Sequence, residues 1–272
     1  MEAGQAAAMD QRTADRATLQ ARAGYNPLQE RDPAVVHTIR EMVVGLLGER
    51  RTISAIIEAV DTVRWWALSL ISRLPPPPHP LACRAGCPWC CYLPVGVTAA
   101  EAVRIAEYLR TTLPACMFEA VREQVAGLDE GTRHMDEDAR AIARLPCPLL
   151  DDRLCSVYAV RPLACIAWTS FDALACKAAW YTATPATVPA HAVCYQAVMS
   201  VRLGLRSGLA DVGLDGEKLD LTTAVRIALE VPDGAERWLA GEPVFAPARW
   251  ESRRSRPVAD SQKPTPASPS LQ

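Results

Sequence analysis

A charge of one sign is missing from this chain. Its 272 residues carry 29 Lys and Arg against 31 Asp and Glu, a formal net charge of −2. No strong field therefore draws the whole molecule to nucleic acid or to an acidic membrane surface. The expected partners are smaller, a metal ion first, with a protein partner or protein substrate also open. A long apolar run is missing as well. The most apolar stretch, ISAIIEAVDTVRWWALSLI at 53–71, carries Glu58, Asp61 and Arg64 one turn apart, which reads as an amphipathic helix rather than a membrane span. The first twenty residues scatter charges through a polar stretch with no apolar h-region, so no export signal is expected and the location reads as cytoplasmic. Strand-like alternation is nearly absent, no internal repeat stands out, and no glycine-rich loop follows a strand to cradle a nucleotide phosphate.

What is present is helical periodicity. Val35, Ile39, Val43 and Leu46, then Ile56, Ile57, Val60, Trp65, Leu68 and Ile71, predict two helices between Pro33 and Leu74, broken near Gly48 to Thr52. PPPPHP at 75–80 ends the second, because proline lacks the amide and clashes with the preceding turn. Thr98 and Glu101 stand in capping-box spacing and open a further helix. Others are expected at 114–127, 135–144, 190–206, 222–230 and 234–240. Around LDDRLC, short extended pieces near 149–158 predict a hairpin. The fold class is mainly α, with a loop-borne cysteine cluster and little β structure. With half its residues apolar, the chain can bury a sizeable core. The expected organisation is a flexible N-terminus over 1–30, an N-terminal helical segment over 31–74, a cysteine-cluster metal-binding domain over 75–245 with a helical C-terminal part, and a disordered tail over 246–272, rich in Pro, Ser and charge.

The ten cysteines are unevenly placed. Cys83, Cys87, Cys90 and Cys91 fall within CRAGCPWCC, and Cys147, Cys155 and Cys165 follow within CPLLDDRLCSVYAVRPLAC. In a reducing compartment such thiols more often serve metals or redox chemistry than disulfides. Four thiolates so close together are electrostatically costly without a cation, and a metal removes that cost. Gly86 and Pro88 let the short loop turn its sulfurs inward, and the polar turn at Asp151 to Arg153 folds Cys147 towards Cys155. Arg161 is either a cation beside the thiolates, offsetting their charge at the cofactor, or an ordinary surface or helix-capping arginine. Cys176 is a further candidate ligand within reach of the second group. His191 and Cys194 share one helix face and read as a metal pair or as packing. Cys116 reads as a small buried hydrophobe, and His37, His79 and His134 need no special role.

The run C-x3-C-x2-C-C, then Cys147-Pro148-Leu149-Leu150, then Cys155, Tyr158, Arg161, Pro162 and Cys165, resembles the bacterial cysteine-cluster proteins described as zinc- or iron-chelating domains, a family that includes flagellin lysine N-methylases. The resemblance spans about residues 80–170, with a looser extension through Cys176. It implies metal chelation, with a 4Fe–4S type of iron–sulfur cluster in the methylase branch and protein-lysine methyl transfer as one activity. Where the family usually places a basic residue after the last motif cysteine, this chain has Ile166. Structural zinc usually takes two paired knuckles. One dense group with scattered single cysteines is more like iron–sulfur ligation, so iron is expected, with a structural zinc module as the alternative. Cys83 to Cys90 is also similar in spacing to radical S-adenosylmethionine enzymes, but those need a strand–helix barrel, and this chain reads as helical.

Overall fold

Two capped helices open the described chain, which in this computed structural model covers residues 31–182 and 188–250. The readings of a flexible stretch over 1–30 and of a disordered tail fall, the latter from 251 onward, outside the described residues. Helix α1 (Pro33–Leu47) starts at Asp32, whose carboxylate accepts from the amides of Ala34 and Val35, and stops at Gly48 with φ 45°. Only glycine adopts such a conformation without cost. Helix α2 (Ile53–Arg73) starts at Thr52, which accepts from Ala55 N, and ends before the proline run. The break lies where the sequence places it.

Strand β1 (Gly96–Val97) leads into α3 (Ala99–Thr112), where Thr98 and Glu101 form the expected capping box. Then come α4 (Ala115–Thr132) and α5 (Glu137–Ala143). The predicted hairpin is β2 (Leu150–Asp151) paired with β3 (Leu154–Cys155). Helices α6 (Leu163–Ala167) and α7 (Ala173–Thr182) were not anticipated. Helix α8 (Ala192–Asp211), strand β4 (Leu219–Asp220), α9 (Leu221–Glu230) and α10 (Gly234–Leu239) complete the order, and β4 pairs antiparallel with β1. Among the described residues the fold is therefore mainly α, with ten α-helices and two small two-stranded sheets. No helix among them is long and apolar enough to cross a membrane.

The core gathers the inward stripes of these helices. Ile39, Val43 and Leu47 of α1, Ile56, Val60 and Val63 of α2, Ile105 and Leu109 of α3, and Val198, Val201 and Leu205 of α8 are all buried. Helices α1 and α8 approach unusually closely, because a Cβ built on Gly204 would lie 2.6 Å from Ile39 Cβ, and one on Gly208 would lie 2.6 Å from Val43 Cβ and 2.9 Å from Arg40 O. Backbone crowds the second position, so nothing there can rotate away. Gly208→Ala is therefore expected to lower stability by about 2 kcal/mol, although alanine is intrinsically the better helix former by ~1 kcal/mol. The urea-unfolding midpoint measures this, and an unchanged or raised midpoint would contradict the close packing.

Candidate metal centre

The proline run delivers the chain to Ala82, whose amide donates to Ser170 O at 2.9 Å. Gly86, at φ 79°, turns the loop, and a 3₁₀ turn over Trp89–Tyr92 carries the vicinal Cys90 and Cys91. The second group is tied directly to the first, since Cys147 N donates to Cys91 O at 2.7 Å. In the hairpin, Asp152 and Arg153 both have positive φ, 38° and 64°. That is the pattern of a two-residue primed turn, whose twist matches the flanking strands. Arg153 Nε then donates to Gly86 O at 3.0 Å, clipping the hairpin to the first loop. Helix α6 carries Cys165. Cys176 sits in the first turn of α7, which Asp172 caps through its carboxylate to Leu174 N and Ala175 N.

These placements bring Cys83, Cys87, Cys90, Cys91, Cys147, Cys155, Cys165 and Cys176 into one neighbourhood. All are free, Cys83 exposed and the others partly exposed. Burial pushes the Cys147 thiol up to about 12, against an opposing amide bond from Leu149 and with Cys155 adding to the rise. Burial also raises Cys155, opposed by the Val157 amide and by Arg161. Cys165 rises well above the usual thiol range through burial and then the charges of Cys147, Cys90 and Cys155. Cys90 is raised first by its hydrogen bond with the Cys91 thiol and then by burial. Burial raises Cys83 and Cys176, each offset by a bond from Ser170. These six metal-free thiols, Cys83, Cys90, Cys147, Cys155, Cys165 and Cys176, are thus held protonated near neutral pH, and a metal bound by them must displace protons.

Cations and rings enclose the group. Arg161 opposes the rise of Cys83, Cys90, Cys155 and Cys165, and its guanidinium lies over the Tyr158 ring at 4.4 Å. Trp180 of α7 packs on Trp89 and Tyr92, with centroids 5.7 and 5.4 Å apart, and Lys177 Nζ lies 5.7 Å from the Trp89 ring. Three further residues lie apart. Cys116 is exposed on α4, not buried as expected, because the first turn of α4 faces solvent. Cys194 is buried, and its thiol senses Thr169 and Arg161 but none of the other sulfurs. His191 edges the Phe171 ring at 5.5 Å. His37, His79 and His134 are exposed.

Among the described residues no group of three or more His, Cys, Asp or Glu is placed to hold a metal ion. The donor set nevertheless fits a soft or borderline metal, since it is all thiol and backbone amides are aimed at Cys83, Cys147 and Cys155, bonds that favour the thiolate form. Residues 82–184 match the family model CxxCxxCC, described as a putative zinc- or iron-chelating domain. That segment, a little over a third of the chain, is similar to that family. No curated protein and no solved structure matches the chain. Over that span the chain puts three residues, Arg84 to Gly86, between its first two cysteines, and Gly86 has positive φ there. Cys194 lies outside the matched span. Sequence reasoning did not find Ser170, which is 1% exposed and donates its amide to Cys83 Sγ at 3.3 Å. No local motif signals it, because its partners are brought to it only by the fold.

Proposed function

We infer that this is a metal-chelating protein whose ligands are Cys83, Cys87, Cys90, Cys91, Cys147, Cys155, Cys165 and Cys176, and that the metal is iron in an iron–sulfur centre. The observation that carries the reading is an all-sulfur donor set drawn from a loop, a hairpin and two helices, with amides aimed at three of its members. Zinc sites more often pair two compact knuckles, whereas iron–sulfur centres combine local and distant cysteines. A bound iron–sulfur centre supplies one-electron redox chemistry, which suits electron transfer, sensing or metal handling. Arg161 offsets negative charge at the cofactor, with Tyr158 holding its guanidinium in place. Trp89, Tyr92 and Trp180 wall off water on the side of the vicinal pair.

Protein purified without air is expected to be brown, with broad near-ultraviolet to visible absorption, and to contain iron and acid-labile sulfide. A colourless protein holding zinc and no sulfide, after anaerobic reconstitution with iron and sulfide has also failed, overturns the iron reading in favour of a structural zinc module.

A further inference from the structure

Helix α2 is apolar on two sides. Ile56, Val60 and Val63 face the core. Trp65 and Leu68 belong to the same apolar pattern in the sequence, yet both are turned to solvent, Trp65 being 65% exposed. They sit on a stripe with Ser54, Glu58 and Ser72, all exposed, at spacings close to whole helical turns. A lone exposed leucine is ordinary, whereas an exposed tryptophan with a leucine one turn on is the kind of anchor that interfaces bury. The stripe can lose its water at little cost, since Ser72 Oγ already donates to Ser69 O at 2.8 Å and keeps that bond when dry. Arg64 of the same helix donates to Ala159 O at 2.6 Å and to Arg161 O at 3.1 Å. These bonds hold the 3₁₀ turn over Tyr158–Val160 beside α2, with the Tyr158 ring also exposed.

The charges along the stripe identify what covers it. Glu58 stands seven residues before Trp65 and Arg73 eight residues after it, about 10.5 and 12 Å along the axis at 1.5 Å per residue. The signs are opposite and the distances nearly equal. Such a face is complementary to itself when a second copy is turned end for end. A two-fold axis beside Trp65 then sets Glu58 opposite the partner's Arg73 at both ends and stacks Trp65 on its counterpart. A parallel copy would set like charges together. Arg73 is exposed and makes no ion pair among the described residues. Glu58 meets Arg50 at 2.8 Å, with half of its side chain exposed, and a surface pair of this kind holds weakly enough for Glu58 to serve a second cation. The net charge of −2 leaves little repulsion between copies. We propose that a second copy of this chain covers this face, the two α2 helices packing antiparallel about Trp65 to form a symmetric dimer. The dimer goes beyond metal chelation and does not depend on it.

Sedimentation equilibrium of the full chain, purified without air and kept reduced so that no disulfide links two copies, measures the association. A dimer is expected at about 100 μM chain, where an interface of micromolar affinity is almost fully occupied. Trp65→Ser is expected to weaken it at least about thirtyfold, the effect of losing one interface anchor. Glu58→Arg and Arg73→Glu each set like charges across both ends of the interface, and each is expected to weaken the dimer several-fold. The double variant Glu58→Arg/Arg73→Glu restores opposite signs and is expected to recover the parent's affinity. That recovery separates a contact across the axis from the local loss of the Arg50 pair, which the double variant also suffers. All three positions are exposed, so the variants are expected to fold as the parent does. A parent protein that stays monomeric at this concentration overturns the proposal, as does a dimer that tolerates Trp65→Ser or a double variant no better than the single ones. A monomer in which a photocrosslinking amino acid at position 65 captures residues 1–30 or 251–272 of its own chain also overturns it, in favour of a face the chain covers itself.

Discussion

Stripping the metal with a chelator is expected to loosen two stretches of chain together, residues 80–95 and 145–168, while α2 keeps its protection against hydrogen exchange. The links that join the two stretches directly are few. Cys147 N bonds to Cys91 O at 2.7 Å and Arg153 Nε to Gly86 O at 3.0 Å, and each such bond contributes a net of about 1 kcal/mol. Structural zinc sites, by comparison, contribute about 10–16 kcal/mol of binding free energy, which becomes folding free energy where no site exists without the metal. The metal term is thus several times larger than the bonds it supplements. It also closes a loop of more than fifty residues, whose entropy the two bonds alone must otherwise offset. Helix α2 stands apart from this balance, since Ile56, Ala59, Val60 and Val63 are buried in the apolar core. Hydrogen exchange followed by mass spectrometry, with and without metal, measures the effect. Loosening confined to 80–95 would show that the second group of cysteines does not share the site.

The cluster was legible because its signals are local. Cysteine spacing, the turn at Gly86 and the polar turn of the hairpin each lie within a few residues, and the capping box at Thr98 and Glu101 is a pattern of four. Helix α6 escaped because five residues are too few to show a period. Helix α7, ALACKAAWYT, is apolar on nearly every side and so presents no stripe. The β1–β4 pair escaped because two-residue strands have no alternation to read, and their pairing is set by the helices between them. Ile166 stands where the resembling family usually has a basic residue, and its side chain, 2% exposed, is packed in the core. That environment disfavours a charge. Arg161 was legible as a cation near thiols, and Tyr158, three residues before it, belongs to the same local motif, but the packing of Trp180 on Trp89 and Tyr92 is a product of tertiary structure.

The buried carboxylate of Glu101 carries the other large expected effect. Glu101 is 2% exposed and accepts three hydrogen bonds, from Thr98 N at 2.8 Å, Thr98 Oγ1 at 3.0 Å and Leu163 N at 2.9 Å. The last joins the start of α3 to the start of α6, two residues before Cys165, so a helix cap also positions a candidate ligand. Its charge also supports a second buried group. Burial lowers Arg202, and Glu101 opposes that shift by stabilising the guanidinium, which donates to Gly96 O at 3.0 Å. Glu101→Ala leaves two backbone amides without their partner and a buried cation without the opposing charge that stabilises it most. Removing one member of a buried charged arrangement costs about 3–5 kcal/mol, a large share of the ~5–15 kcal/mol that holds a typical domain folded. Glu101→Gln keeps the shape and one acceptor oxygen, but it turns an NH₂ group towards an amide donor and abolishes the charge, so its cost is expected to lie between those of the parent and the alanine variant. Urea unfolding of the metal-free proteins measures the order, with the parent most stable and alanine least. An alanine variant within about 1 kcal/mol of the parent, the size of one ordinary hydrogen bond, would show that Glu101 does not join these two helices.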